Sequence, residues 1–263
     1  MSQIWQLHYA PGGESLLSRA GLHASNIFDD PRIELWRDLP ERQNCIVRAR
    51  DGQSPRLHVK RFKPPYGGEA LREANAVALL RAANILTVPL VAYGVCEDGR
   101  GFLISEDLSG YQPADRVLKE QTHSADLPER IADLAWQLHM AHLHHRDFYL
   151  CHVFVAVGGD QHRPLHLIDP GRVARMPPWP MHYRWMVKDV AQLYYSVTDA
   201  GLSVSLRGRI ISRYLERSPR LTRWLCRIFV PLKARFIARH DANLRRQQPG
   251  RRVSLDDATH DAT

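Results

Sequence analysis

His145-Arg146-Asp147-Phe148-Tyr149-Leu150-Cys151-His152 is followed, seventeen residues after His152, by the aspartate of Ile168-Asp169-Pro170-Gly171. Between them lie two short apolar runs, Val153–Val157 and Pro164–Ile168, with Gly158-Gly159 in the gap. That order reads as strand, turn, strand, aspartate. Upstream, Pro128–His142 reads as a helix: Asp126 stands at the cap position, Pro128 suits the first turn, and Ile131, Leu134, Ala135 and Leu138 form one apolar stripe. Alone, a loop aspartate satisfies nearby amides and Asp-Pro-Gly is an ordinary turn. Joined in this helix–loop–hairpin order, the two carboxylates become candidates for chemistry.

The loop has the form H-R-D-x-x-x-x-N found in ATP-Mg phosphotransferases, with His152 in the asparagine position. Asp147 is then the candidate catalytic base, because an acceptor hydroxyl needs a carboxylate to orient it and take its proton. Asp169 is the candidate Mg²⁺ ligand, a hard oxygen donor beside substrate phosphates. His152 faces the same site as a weak metal ligand, or as a partner for Asp147 or a phosphate; imidazole nitrogen suits Mg²⁺ less well than oxygen does.

Upstream, Arg56–Phe62 alternates Leu57, Val59 and Arg61 against His58, Lys60 and Phe62, a strand signal. Pro64-Pro65-Tyr66-Gly67-Gly68 ends it, and Glu69–Ala83 reads as a helix. Strand lysine, turn and helix glutamate fit Lys60 on the ATP phosphates with Glu73 as its ionic partner; Glu69, one turn earlier, is the rival. Ile104–Leu108, with Glu106, occupies the place where a hinge offers backbone groups to adenine. No G-x-G-x-x-G loop is present, and Arg37–Asn44, between the first two expected strands, has no glycine. Asp189 is a candidate for holding the catalytic loop from behind.

These elements predict an α+β, two-lobed protein-kinase-like fold: a small, mainly antiparallel β N-lobe with one helix, and a mainly helical C-lobe. Five strands are expected at Arg32–Trp36, Cys45–Arg50, Arg56–Phe62, Leu90–Val95 and Gly101–Ile104. Helices are expected at Tyr111–Gln121 and Tyr183–Val197, with Trp185 available for the core, and the remainder is helical and basic. The boundaries are an irregular N-terminal extension over 1–30, an N-lobe over 31–108, a C-lobe over 109–248 and a flexible tail over 249–263.

The net charge of +8 is uneven. Arg207–Arg252 carries fourteen Lys and Arg against Glu216 and Asp241, a net of +12, so the rest sums to −4. The pattern predicts a contact with an anionic surface rather than a uniformly basic nucleic-acid binder. Cys45, Cys96, Cys151 and Cys226 are widely spaced and form no C-x-x-C, which predicts reduced thiols in the cytoplasm. Met1–Gly13 lacks a basic start and an apolar core, and no run of eighteen apolar residues exists, so neither a signal peptide nor a membrane span is expected.

Tyr149 and His152 together give H-R-D-x-Y-x-x-H, and this loop resembles that of the lipopolysaccharide core heptose and Kdo kinase family of Gram-negative bacteria. The V-K-R-F strand, the R-E-A segment with Glu73, the L-I-D-x-x-R segment with Asp169 and Arg172, and K-D-x-A-Q-L-Y-Y-S at Lys188–Ser196 are similar to it as well, in order from about 56 to 196. Pro170-Gly171 departs from the family's Leu-His pair. The resemblance implies ATP and Mg²⁺ as cofactors. It also implies a lipid A–Kdo–heptose core acceptor phosphorylated on a sugar hydroxyl at the cytoplasmic face of the inner membrane. On that reading the C-terminal fifth, where Trp224, Leu225, Ile228, Phe229, Leu232, Phe236 and Ile237 interleave with arginines, is compatible with a peripheral interfacial helix broken at Pro231. The alternative is an apolar face packed on the C-lobe under solvated arginines.

Three other functions compete: a kinase for another small-molecule or protein hydroxyl, a pseudokinase docking at a membrane, and a nucleic-acid binder. The last lacks an aromatic-basic or zinc-finger pattern, so no nucleic-acid partner is expected. The histidines at 139, 142, 144, 145 and 152 lack the carboxylate or cysteine pattern of a zinc site. The sequence leaves oligomeric state open.

Overall fold

The computed structural model describes residues 4–48, 55–120, 124–158 and 162–247. The tail expected over 249–263 lies outside them. The chain divides into two compact units, the described residues of Met1–Leu79 with Thr87–Ser109 and those of Leu80–Leu86 with Gly110–Thr263.

The first unit is one antiparallel sheet covered on both faces. In chain order it contains β1 (Ile4–Tyr9), α1 (Gly13–Arg19), β2 (Glu34–Asp38), β3 (Arg42–Val47), β4 (Leu57–Phe62), α2 (Glu69–Ala82, whose last turn belongs to the second unit), β5 (Leu90–Cys96) and β6 (Gly101–Glu106). The sheet order is β1-β5-β6-β4-β3-β2. Alternation decides which side chains meet which layer. Leu57 and Val59 of β4 and Phe102 and Ile104 of β6 pack with Leu16, Leu17, Leu22 and Ile27 on one side. Phe62 and Leu103 pack with Ala70 and Ala74 of α2 on the other.

The stretch before Asp30 is therefore not an irregular extension. β1 is an edge strand paired with β5, and α1 and its following loop form one layer of the core. Gly13 lies against the Val91 carbonyl, where a Cβ would sit 2.0 Å from the oxygen. Arg61 points to the same side and donates from Nε to the Ile27 carbonyl at 2.8 Å.

The second unit adds β7 (Tyr111–Pro113), α3 (Ala114–Glu120), α4 (Leu127–Met140), β8 (Leu143–His144), β9 (Val153–Ala156), β10 (His166–Leu167), β11 (Ala174–Arg175), α5 (His182–Asp199), α6 (Val204–Arg217) and α7 (Arg220–Gln247). The expected helix at Tyr111–Gln121 is thus a short strand followed by a shorter helix. Asp126 stands at the N-cap of α4, but its side chain makes no capping bond. α7 is not broken at Pro231. Thr222, Cys226, Val230 and Ala234, spaced four apart, are buried along one line through the proline. That buried stripe holds both halves of the helix in register although Pro231 has no N–H to give. All four cysteines are free and buried.

Candidate active site

In the first unit, Lys60 shares the α2 side of β4 with Phe62 and donates from Nζ to Glu73 Oε1 at 2.6 Å. Glu73 is buried and Lys60 only partly exposed, so the pair is shielded from water. Glu69 instead pairs with Arg72 on the exposed face of α2. The β2–β3 hairpin, the glycine-free segment, is tied down from behind: Lys63 Nζ reaches Asp38 Oδ1 at 2.6 Å and the Leu39 carbonyl at 2.8 Å. At the end of β6 the amide of Glu106 donates to the Pro89 carbonyl at 2.9 Å and that of Asp107 to the Arg56 carbonyl at 2.8 Å. Neither of those N–H groups is available to a base.

In the second unit, one face of α5 holds the whole 145–150 loop. Asp189 is buried and accepts the amides of His145 at 2.7 Å and Arg146 at 2.8 Å. Arg146 has a left-handed backbone, φ 70°. Such a conformation costs about 1–3 kcal/mol outside glycine and persists where neighbours over-determine it. Here Lys188 Nζ and Gln192 Nε2 both donate to the Arg146 carbonyl, at 2.6 and 2.7 Å. Gln192 Oε1 accepts the Phe148 amide at 3.2 Å, and Ser196 Oγ accepts that of Leu150 at 3.1 Å. Behind Asp189, His139 places Nε2 at 3.4 Å from its Oδ2 and Nδ1 at 2.7 Å from the Tyr214 hydroxyl. Burial opposes the Asp189 charge, but the His139 contact and the amides outweigh it and hold the carboxyl below its ordinary pKa.

Sequence reasoning anticipated Asp189 but not Lys188, Gln192 or Ser196. Their spacing over 188, 189, 192 and 196 is one helical face, a readable signal once the loop is known to lie on it.

Asp147 is partly buried and meets Arg172, whose Nη1 lies 3.3 Å from Oδ1 and 3.2 Å from Oδ2. Gln192 Nε2 approaches Oδ1 at 3.5 Å, its longest contact, since its two hydrogens also serve Arg146 and the Tyr149 hydroxyl. Asp169 has a left-handed backbone, φ 52°. The residue before it is fixed on both sides: the Ile168 amide donates to the His152 carbonyl at 2.9 Å, and His145 Nε2 donates to the Ile168 carbonyl at 3.1 Å. The two candidate carboxylates thus hang from one histidine frame.

His152 Nδ1 donates to the Asp147 carbonyl at 2.7 Å. Burial opposes a second proton on this ring, but the Cys151 sulfur, the Asp169 charge and the Asp147 carbonyl outweigh it and raise the pKa to about 10. Nδ1 is committed to the loop backbone, which fixes the ring beside the candidate carboxylates. Asp169 fits Mg²⁺, which is commonly held by one or two carboxylates and completed by phosphate oxygens and water, while imidazole nitrogen is a poorer ligand for it.

The other histidines have separate roles. His144 stacks on Trp185, with ring centroids 4.7 Å apart, and Trp185, expected in the core, is only partly buried. Burial lowers the pKa of His144 to about 4 and lowers that of His145, so both rings are neutral at pH 7. Among the described residues no group of three or more His, Cys, Asp or Glu side chains is arranged to hold a metal.

The profile of the lipopolysaccharide kinase (Kdo/WaaP) family matches residues 57–214, and the chain belongs to that family. It is 29% identical over 165 residues to the lipopolysaccharide core heptose(I) kinase WaaP of Pseudomonas aeruginosa, covering 56% of this chain and 60% of that protein. It is 29% identical over 153 residues to the protein of the same name from Escherichia coli, covering 50% and 54%. The matches thus span less than two thirds of either relative. Among solved structures, the aminoglycoside-3'-phosphotransferase of type VIII superposes with a TM-score of 0.53 at 16% identity, over 76% of this chain and 93% of that one. That likeness establishes the protein-kinase-like fold.

Proposed function

We propose that this member of the lipopolysaccharide kinase family is an ATP-dependent kinase that phosphorylates a sugar hydroxyl of the lipopolysaccharide inner core, with heptose favoured over Kdo. The observation that carries the reading is the shared frame of Asp147 and Asp169, in which His145 fixes Ile168 while α5 fixes the loop that bears Asp147. The names of both curated relatives specify heptose(I), which supports the sugar.

Mg-ATP, when bound, supplies the transferable phosphoryl group and neutralises part of its charge. Lys60, held by Glu73, would contact its phosphates, and Asp169 would hold the metal. Asp147 accepts the proton of the sugar hydroxyl and aims its oxygen. Arg172, already beside Asp147, restrains that carboxylate. His152, anchored to the Asp147 carbonyl, would serve as a weak metal ligand or as a partner for a phosphate. The exposed apolar and basic face of α7 supports peripheral contact with an anionic inner membrane at its cytoplasmic face; no helix among the described residues is long and apolar enough to cross one.

Mass spectrometry of core oligosaccharide from cells lacking the gene tests the reading. Loss of one heptose-linked phosphate, restored by the intact gene, is expected. Unchanged phosphorylation of the core would remove this acceptor.

A further inference from the structure

Trp185 is the centre of an unusual charge arrangement. The guanidinium carbons of Arg146 and Arg184 lie 4.7 and 5.4 Å from its ring centre, and Lys188 Nζ lies 5.6 Å away. His144 stacks on the same ring. Arg146, Arg184 and Lys188, with Lys233 of α7, line a groove of about 740 Å³. Among the described residues none of these four cations is in an ion pair, and Arg146 Nε is buried without a hydrogen-bond partner. Asp147 and Asp189 offset part of the Lys188 charge. Arg146, Arg184 and Lys233 have no such ion pair among the described residues, and like charges gathered at one groove repel unless an anion sits among them.

The other wall is apolar and belongs to α7: Leu225, Phe229, Leu232 and Phe236. These side chains are separate from the buried stripe that packs the helix down. Phe229 is 45% exposed, Leu232 53% and Phe236 63%. Three large side chains on one face leave an apolar strip in water, the kind of patch that marks an interaction site. α7 also carries Arg220, Arg223, Arg227, Arg235 and Arg239 around the strip.

We infer that this groove is a binding site for one anionic lipid of the bilayer surface, with its phosphate among the four cations and an acyl chain along the α7 wall. Charge complementarity chooses the head, since unpaired cations bind phosphate well. The exposed aromatic and aliphatic wall chooses the tail. The groove and the candidate catalytic loop share Arg146 and Lys188: Lys188 donates to the Arg146 carbonyl, and Arg146 precedes Asp147. A seated lipid therefore touches the residue that precedes the candidate base. The inference refines the membrane contact proposed above, and its test needs neither ATP nor acceptor, so its failure is distinct from failure of the kinase reading.

The experiment is calorimetric titration of the full chain with dodecyl phosphate below its micelle concentration, beside dodecyl maltoside and inorganic phosphate. One site per chain is expected for dodecyl phosphate, bound at least about tenfold more tightly than either control. Replacing both Phe229 and Phe236 with serine weakens it about tenfold or more, and Lys233→Ala weakens it severalfold. Trp224→Ser, also on exposed α7 but outside the groove, leaves it unchanged. In flotation, vesicles containing phosphatidylglycerol retain the chain, while phosphatidylcholine vesicles and the double variant on either vesicle do not. Equal binding of the uncharged detergent, equal loss with Trp224→Ser, or a dimer that buries the groove in sedimentation would each overturn the inference.

Discussion

The carboxylate of Asp189 accepts the amide of Arg146 at 2.8 Å and so fixes a left-handed residue 43 positions earlier in the chain. The neighbouring bond to His145 makes the grip two-pronged. In Asp189→Asn the side chain loses its charge and can present at most one oxygen to two amides. Stability is expected to fall by about 2–5 kcal/mol, measured by urea denaturation. A change within about 0.5 kcal/mol would mean the loop is held by something else.

Gln192 touches Arg146, Phe148 and Tyr149, and only distantly Asp147. Gln192→Met keeps the length of the side chain and removes these bonds. It should lower kcat by about tenfold or more while leaving the KM for ATP unchanged, because it orients the loop rather than the nucleotide. A rise in KM for ATP at constant kcat would assign Gln192 to nucleotide binding instead.

The two glutamates of α2 should separate cleanly. Glu73→Gln weakens the hold on Lys60, so Mg-ATP binding, read by thermal shift, should drop. Glu69→Gln loses only an exposed pair with Arg72, worth at most about 1 kcal/mol, and should bind Mg-ATP normally. Equal losses would contradict the assignment of Lys60 to Glu73. Absence of any Mg-ATP shift in the unmodified chain would favour a non-catalytic protein.

His144 gives a pH signature. Its folded pKa of about 4 lies below the value near 6.5 expected when unfolded. Between those values the unfolded state binds the proton and the folded state does not. Stability is therefore full above about pH 6.5 and declines as pH falls toward 4, by about 3 kcal/mol from this group. Denaturation curves of the parent and of His144→Gln, compared at pH 7 and pH 4.5, should show a smaller pH loss in the variant. Parallel losses would show that His144 is not held neutral.

The sequence made the loop, the hairpin leading to Asp169 and the Lys60 strand legible, because their chemistry is local. Asp147 and His152 lie five residues apart, and the side-chain alternation of β4 is visible in six letters. Glu73 and Glu69 could not be separated, since the choice depends on which helix face meets β4. β1 was hidden for another reason: as an edge strand it leaves Trp5, Leu7 and Tyr9 exposed, so it shows no alternation of buried and polar residues. α1 is too short for its leucines to establish a period. The role of α5 was half visible in Asp189. Recognising Lys188, Gln192 and Ser196 required knowing that a distant loop lies along that face. Pro231 misled because its local cost was read without the buried line of Cys226, Val230 and Ala234 that carries the helix past it.

The most direct test of the central claim is transfer of labelled γ-phosphate from Mg-ATP to purified, dephosphorylated core lipopolysaccharide by the full chain and by Asp147→Asn. The unmodified chain should label the core heptose, and Asp147→Asn, with a retained thermal midpoint and Mg-ATP shift, should be slower by about 10²–10⁴-fold. Turnover by Asp147→Asn at the unmodified rate would contradict the account.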